Sequence, residues 1–377
     1  MNETSRFRLA ESRRRVTIRD LARDLDLSIT TISRALNGHD DVGEATRTRV
    51  KDRAEELGYR PNRNAQRLVT QRTNCLGWIQ SAVDEKVLDP HFVEVMGGVL
   101  HTAREKHYDI MMTGEASESQ ILAYDRYVRD NSVDGFIVDL PRPGDPRIDF
   151  LLEHGAAFCV HGRTERHEEF SWVDIDNAGI FYRLIHLLAA NGHRNIAFIN
   201  GDERFTFAAQ RRIGVRHALR DLGLPPESVT IHGSRHPMGL SGQNLTRAAL
   251  ADNNVTAIVY SSVLMAIEGQ ATLSELGREA GRNICVATMD DQLHYLDASQ
   301  YEGRFTFARS SLREAGKLIA STLMSLCERP DEPIQTLVPY QFSLGDDLDM
   351  SKADAAVMAP SDNVPSYEPA NNRSRLN

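Results

Sequence analysis

Apolar positions along the chain follow two rhythms. From Val16 to Leu57 they recur every three or four residues, the period of a helix with one buried face. Thr17 and Asp20 form a capping-box-like start, with Asp in place of Glu or Gln, and Ile18, Leu21, Ala22 and Leu25 then share a face. A break at Asp26-Leu27 precedes Ser28, which caps a second short helix running to about Leu36, where Asn37-Gly38 stops it. A third helix runs from about Glu44 to Leu57 on an inner stripe of Val50, Ala54 and Leu57, ended by Gly58 and Pro61.

After residue 72 short apolar runs alternate with amphipathic segments. Strands are predicted at Cys75–Gln80, Asp109–Thr113, Gly135–Asp139, Phe158–His161, Asn195–Asn200, Thr230–His232, Ala257–Tyr260 and Ile284–Thr288. Helices are predicted at Phe92–Lys106, Ser119–Asn131, Ile148–His154, Ala178–Asn191, Gln210–Leu222, Gly242–Ala251 and Val263–Leu276. Alternation of this kind implies parallel sheets covered by helices with right-handed crossovers, and this many elements make two doubly wound lobes. Residues 1–15 read as a flexible arm and 351–377, rich in Ala, Ser, Pro and Asn without apolar period, as a disordered tail.

The 377 residues exceed what one core organises and suit two or three domains. No run approaches the roughly 18–20 apolar residues of a membrane span. The N-terminus lacks an apolar segment and a small-residue cleavage site, which leads us to expect a cytoplasmic protein. The four cysteines stand singly and the thirteen histidines show no metal-ligand spacing, so no disulfide, metal or other cofactor is expected. Net charge is −9, but it is split. Residues 1–72 hold 16 Lys and Arg against 11 Asp and Glu, net +5, and the remainder is net −14. A basic head on an acidic body attracts phosphate at one end only.

The two short N-terminal helices joined by a tight turn fit a DNA reader, although an ordinary helical hairpin with a polar outer face has the same pattern. With Ile18, Leu21, Ala22, Leu27, Ile32 and Leu36 packed inward, Ile29, Thr30, Ser33 and Arg34 face out on the second helix. Arg34 can bond guanine O6 and N7, Thr30 can meet a base edge, and Ile29 can touch a thymine methyl. Thr17, Ser28, Thr31, Asn37 and Arg47 suit phosphate contacts, which position without specifying.

The stretches VTIRDLARDLDLSITTISRALNG and TRTRVKDRAEELGYRPNRNAQRLVTQRTNCLGWI resemble the head of the lac repressor family (LacI/GalR regulators), densely from Val16 to Ile79. Ile29, Thr30 and Arg34 match that family's base-reading positions. One departure is Asp26, where the family has Gly in the turn; Asp tolerates the left-handed conformation better than most residues. The resemblance implies a helix-turn-helix domain over 16–61 and a hinge over 62–72. It implies further that the hinge folds on DNA, with Leu68 as the wedge in the minor groove and Ala65 packed beside it. Read by itself the segment is a solvated linker, too short for a stable helix.

At lower density, DPHFVEVMGGVLHTAREKHYDI, SWVDIDNAGIFYRLIHLLAANGHRNIAFINGD and RRIGVRHALRDLGL are similar to the same family's effector domain. The expected fold class is an all-α helix-turn-helix head plus an α/β periplasmic-binding-protein-like (type I) two-lobed effector domain over 73–340. Lobe one is expected at 74–173 plus 304–338 and lobe two at 174–303. Ligands of such sheets sit beyond the C-terminal strand ends. Phe92, His161 and Arg163 lie there by position, while Arg211, Ser262 and Asp290 match pocket residues of the family. Arg and Asp facing each other suit a polyol. Val263 and Thr288-Met289 depart from the family's usual residues and put an unusual ligand in view.

The function expected is a homodimer on a pseudo-palindromic double-stranded DNA operator, most simply a repressor, released when a sugar-like effector closes the cleft and shifts the hinges. A corepressor would use the same cleft with opposite sign. A transport solute-binding protein would carry the body alone, and an enzyme would need a nucleophile–base pair, phosphate loop or metal cluster that does not emerge.

Overall fold

The computed structural model describes residues 16–36, 38–59, 72–81, 89–236, 238–329 and 332–358. The chain divides into two compact units between Thr73 and Asn74. The first contains α1 (Ile18–Leu25), α2 (Ile29–Leu36) and α3 (Glu44–Glu56). Leu21, Ile32, Ala35 and Val50 are fully buried at their junction. Thr17 opens α1 with a complete capping box, its hydroxyl accepting from the Asp20 amide and the Asp20 carboxylate accepting from the Thr17 amide. Asp26 closes α1 in the left-handed region at φ 54°, so Asp does there what Gly does more cheaply.

The second unit has two six-stranded sheets. The first is built from β1 (Cys75–Gln80), β2 (Asp109–Gly114), β3 (Gly135–Asp139), β4 (Phe158–His161), β5 (Ser171–Ile175) and, far along the chain, β11 (Gln335–Val338), in the order β11-β5-β4-β3-β1-β2. The second takes β6 (Ile196–Asn200), β7 (Val229–Gly233), β8 (Ala257–Tyr260), β9 (Cys285–Asp290), β10 (Thr306–Ser310) and β12 (Tyr340–Ser343), in the order β12-β10-β9-β8-β6-β7. All pairings are parallel except β10 with β12. β1, β3, β6, β8 and β9 are buried along their whole length, as parallel strands covered on both faces must be.

Helices α4 (Pro90–Glu105), α5 (Gln120–Arg129), α6 (Pro146–Glu153), α7 (Asn177–Ala190), α8 (Thr206–Asp221), α9 (Ser241–Ala249), α10 (Val263–Glu275) and α11 (Leu312–Glu328) connect the strands. α4 and α11 pack together on the first sheet and meet through glycines. A Cβ on Gly98 would lie 2.0 Å from the Arg313 carbonyl oxygen, and one on Gly316 2.1 Å from that of Val95, so neither position admits a side chain.

The chain passes between the sheets three times, at Asp176, at Ser311 and at Pro339. Fully buried Arg183 ties the first passage to the third, pairing with Asp176 at 3.3 Å and lying 5.9 Å from the Tyr340 ring centre. The Ser310 hydroxyl donates to the Pro339 carbonyl at 3.1 Å, tying the second to the third.

Two expectations need correction. Residues 304–338 do not belong wholly to lobe one: Thr306–Ser310 pairs with β9 in the second sheet, and the return begins at α11. The tail does not begin at 351. A 3₁₀ turn, Met350–Lys352, and α12 (Ala355–Met358) follow β12, with Met350, Ala353 and Met358 against the main core. Asn191 pins this segment by exchanging hydrogen bonds with the Asp349 backbone at 3.2 and 3.0 Å. Residues 1–15, 60–71 and 359–377, hence the arm, the hinge apart from Arg72 and the rest of the tail, lie outside the described residues. The four cysteines form no disulfide, and among the described residues no cluster could hold a metal and no helix is long and apolar enough to cross a membrane.

Candidate DNA-reading surface and ligand cleft

On the head, Ile29, Thr30 and Arg34 share the exposed side of α2, opposite buried Ile32 and Ala35. Ile29 is 45% exposed, an apolar side chain held in water on a polar face. Ser28 caps α2, its hydroxyl accepting from the Thr31 amide at 3.0 Å and lying 2.8 Å from the Thr31 hydroxyl. Thr17 stands at the start of α1, and Ser28 and Thr31 stand at the start of α2. Arg47 is braced inside the head: it donates to Glu44 at 2.7 Å and to the carbonyls of His39 and Val42 at 2.9 and 3.2 Å, clipping the α2–α3 loop. A phosphate contact there would have to displace Glu44. Asn37, Ala65 and Leu68 lie outside the described residues. The sequence reading missed Asp41, which accepts from Arg34 Nε and Nη2 at 3.1 and 2.8 Å.

In the second unit the predicted residues lie at the C-terminal strand ends or on the segments that follow them, and a polar chain links two of them, Arg163 and Arg211. Arg163, two residues beyond β4, donates to Asp174 at 2.8 Å and stacks 5.0 Å from the Trp172 ring centre. Asp174 accepts from Asn177 at 3.3 Å, and Asn177 accepts from Arg211 Nε at 2.8 Å. Arg211 Nη1 donates to the Ser261 carbonyl at 3.0 Å. The rings of Phe181 and Phe207 flank its guanidinium at 5.3 and 5.0 Å, and burial pulls its pKa down. Ser262 caps α10 and lies 3.3 Å from His91 Nε2, which also reaches Asp291 at 3.3 Å. Asp290 ends β9, accepting from Arg309 at 3.1 Å and the Gln292 amide at 2.9 Å.

Phe92 differs from expectation. Only 8% exposed, it packs on Trp78 with ring centres 5.1 Å apart and is chiefly a core residue. His161, half-buried at the end of β4, stands in register with Asp139 of β3, which bonds Gln80 at 3.2 Å. Four residues that sequence reasoning missed carry the network: Asp174, Asn177, Asp291 and His91. Burial alone would depress the His91 pKa, but hydrogen bonds to Asp291 and to Asp89 outweigh it and push it up to about 10. The signal was present in Asp89-Pro90, an N-cap and first-turn pair that aims the next residue at the strand ends.

Both sides of the cleft are bridged. On one, His91 meets Asp291 and Ser262, and Glu94 accepts from the His294 amide at 2.8 Å. On the other, the Thr206 amide donates to the Pro141 carbonyl at 3.0 Å and Arg142 lies 5.4 Å from the Phe205 ring centre. Asn200 Oδ1 and Thr206 Oγ1, both buried at the second sheet's end of the cleft, have no hydrogen-bond partner among the described residues.

The model of the lacI family of bacterial regulatory proteins matches residues 17–62, and that of the periplasmic binding protein-like domain matches 185–346. The transcriptional regulator AglR of Rhizobium meliloti (strain 1021) is 34% identical over 324 residues, 85% of this chain and 91% of the relative. CelR of Thermobifida fusca is 31% identical over 288 residues, 74% of this chain and 84% of the relative. Among solved structures, a transcriptional regulator CelR–cellobiose complex aligns with TM-score 0.63 at 26% identity, covering 88% of this chain and 99% of that one. The lac repressor dimer bound to operator and the anti-inducer ONPF aligns at 0.72 with 22% identity, covering 88% and 98%, which speaks to fold. With a helix-turn-helix head, two doubly wound lobes and a relative of this identity along most of its length, the chain belongs to the lacI family of bacterial regulatory proteins, DNA-binding regulators of transcription.

Proposed function

We propose that this regulator is a repressor whose hold on a pseudo-palindromic operator is set by a sugar or sugar derivative bound between the lobes. The observation that carries the reading is the polar chain from Arg163 through Asp174, Asn177 and Arg211 to Ser261, with Ser262, His91, Asp290 and Asp291 beside it. It offers fixed donors and acceptors between aromatic rings, the chemistry a polyhydroxylated ring needs. Arg211 and Asp290 are its clamp, with Arg163, Ser262 and His161 as further polar contacts. Asn200 and Thr206 add buried polar atoms with hydrogen-bonding capacity to spare. The role is regulatory rather than catalytic.

On the head, Ile29, Thr30 and Arg34 read base edges, Thr17, Ser28, Thr31, Asn37 and Arg47 hold phosphates, and Ala65 and Leu68 enter the minor groove. A homodimer supplies two heads. Its support is the apolar surface left along the β2 edge of the first sheet, where Leu100 of α4, Met112 of edge strand β2 and Leu122 of α5 are 47, 40 and 70% exposed.

A thermal-shift screen of full-length protein against mono- and oligosaccharides and their phosphates tests the reading. A hit at about 100 times its Kd raises stability by about 2.7 kcal/mol and changes operator affinity. A panel in which no sugar shifts the melting temperature, or in which hits leave operator affinity unchanged, refutes it.

A further inference from the structure

The pair formed by Arg34 and Asp41 occupies only one side of the guanidinium. Asp41 accepts from Nε at 3.1 Å and from Nη2 at 2.8 Å, a side-on bidentate contact. Nη1 has no hydrogen-bond partner among the described residues, and the arginine side chain is 48% exposed. A guanidinium is planar with its N–H groups in a fixed fork. Filling the Nε–Nη2 edge leaves the Nη1–Nη2 edge, whose two parallel N–H groups match O6 and N7 of guanine.

Asp41 is itself held in place. The next residue, Val42, is buried in the head core, and Arg47 bonds the carbonyls of His39 and Val42 on either side of Asp41. The carboxylate is thus mounted on a braced loop, while Arg34 is a long side chain with many rotamers on the exposed side of α2.

We propose that Asp41 is a positioning residue for base recognition: it holds Arg34 side-on so that the end-on edge is presented to a guanine. This rests on the base-reading role of Arg34 given above. A carboxylate near the DNA surface repels phosphate whatever the sequence, whereas orienting Arg34 helps only where a guanine is there to be read. Asp41 therefore trades general affinity for discrimination.

The experiment uses the full-length protein, an operator selected from a randomised duplex pool, and a panel in which each operator base pair is replaced in turn, with Kd measured at one fixed salt concentration. Arg34→Ala locates the position where guanine is read. Asp41→Asn and Asp41→Ala are expected to lose discrimination at that same position by about fivefold or more. Their affinity for an unrelated duplex stays equal or rises. The Arg34→Ala/Asp41→Ala double variant loses no more there than Arg34→Ala alone. Matched melting curves confirm that the heads are folded, and Asp41 sits in an exposed loop where both substitutions fit. Discrimination that survives in both Asp41 variants overturns the proposal, whether operator affinity is unchanged or increased, the latter meaning that the carboxylate restrains Arg34. A loss spread evenly over all positions overturns it too. If Arg34→Ala leaves selectivity intact everywhere, the base-reading role fails first and the proposal with it.

Discussion

Replacing His91 by Gln should uncouple the stability of the two-lobed unit from pH. The ring bonds Asp89 at 2.8 Å and Asp291 at 3.3 Å, and its pKa is pushed up to about 10 from an ordinary 6.5. The folded protein thus holds this proton more tightly than the unfolded chain. The resulting stabilisation is complete below about pH 6.5, shrinks as the pH rises, and is gone above about pH 10. At about 1.36 kcal/mol per pH unit the whole interval amounts to ~5 kcal/mol. Water reaches the ring, whose side chain is 20% exposed, and screens both pairs. Screening reduces the gain, and we expect roughly 2 kcal/mol, or about 4 °C in Tm for a unit of this size. Thermal melts of wild type and His91→Gln across this pH range read it directly: a gap of that order at pH 6 that closes by pH 10. A gap of constant size at both ends, or none at pH 6, would refute the assignment of a charged bridge between the lobes.

Two further substitutions separate the roles of other residues. Arg211→Met removes the donors to Asn177 and Ser261 but also a desolvated charge. Stability should change by less than about 2 kcal/mol, operator binding should persist, and calorimetric titration with a screened sugar should show no heat; an unchanged Kd would move the clamp elsewhere. Asp26→Gly relieves a left-handed L-residue at φ 54° and should raise the stability of the head by about 0.5 kcal/mol, so a lower head Tm would show that the Asp26 side chain does more than occupy the turn.

The strands most legible in the sequence are those whose interiors are uniformly apolar. Gly135–Asp139, Phe158–His161 and Ala257–Tyr260 were placed to the residue because each apolar run is short and punctuated. Ser171–Ile175 went unpredicted because its polar members look like loop residues. Asp174 is buried there only because Arg163 and Asn177 arrive to meet it. Thr306–Ser310 belongs to the second sheet through its pairing with β9 and β12, a partnership its local pattern does not encode. The ligand cleft was legible as far as strand ends locate it. His91 and Ser262 are separated by 171 positions, and the closing of that distance is a property of the whole fold. In the head, the left-handed turn at Asp26 was legible through the resemblance, which has Gly there, whereas the Asp41 carboxylate gave no local sign of its partner seven residues earlier.

The triple passage of the chain between the sheets limits what a bound molecule can set in motion. Three covalent connections, stitched side by side through Arg183 and Ser310, forbid the halves from separating or sliding. What remains is a swing about the line they define, together with a small twist along it. A rigid arm attached far from that axis would convert a few degrees of swing into ångströms of travel.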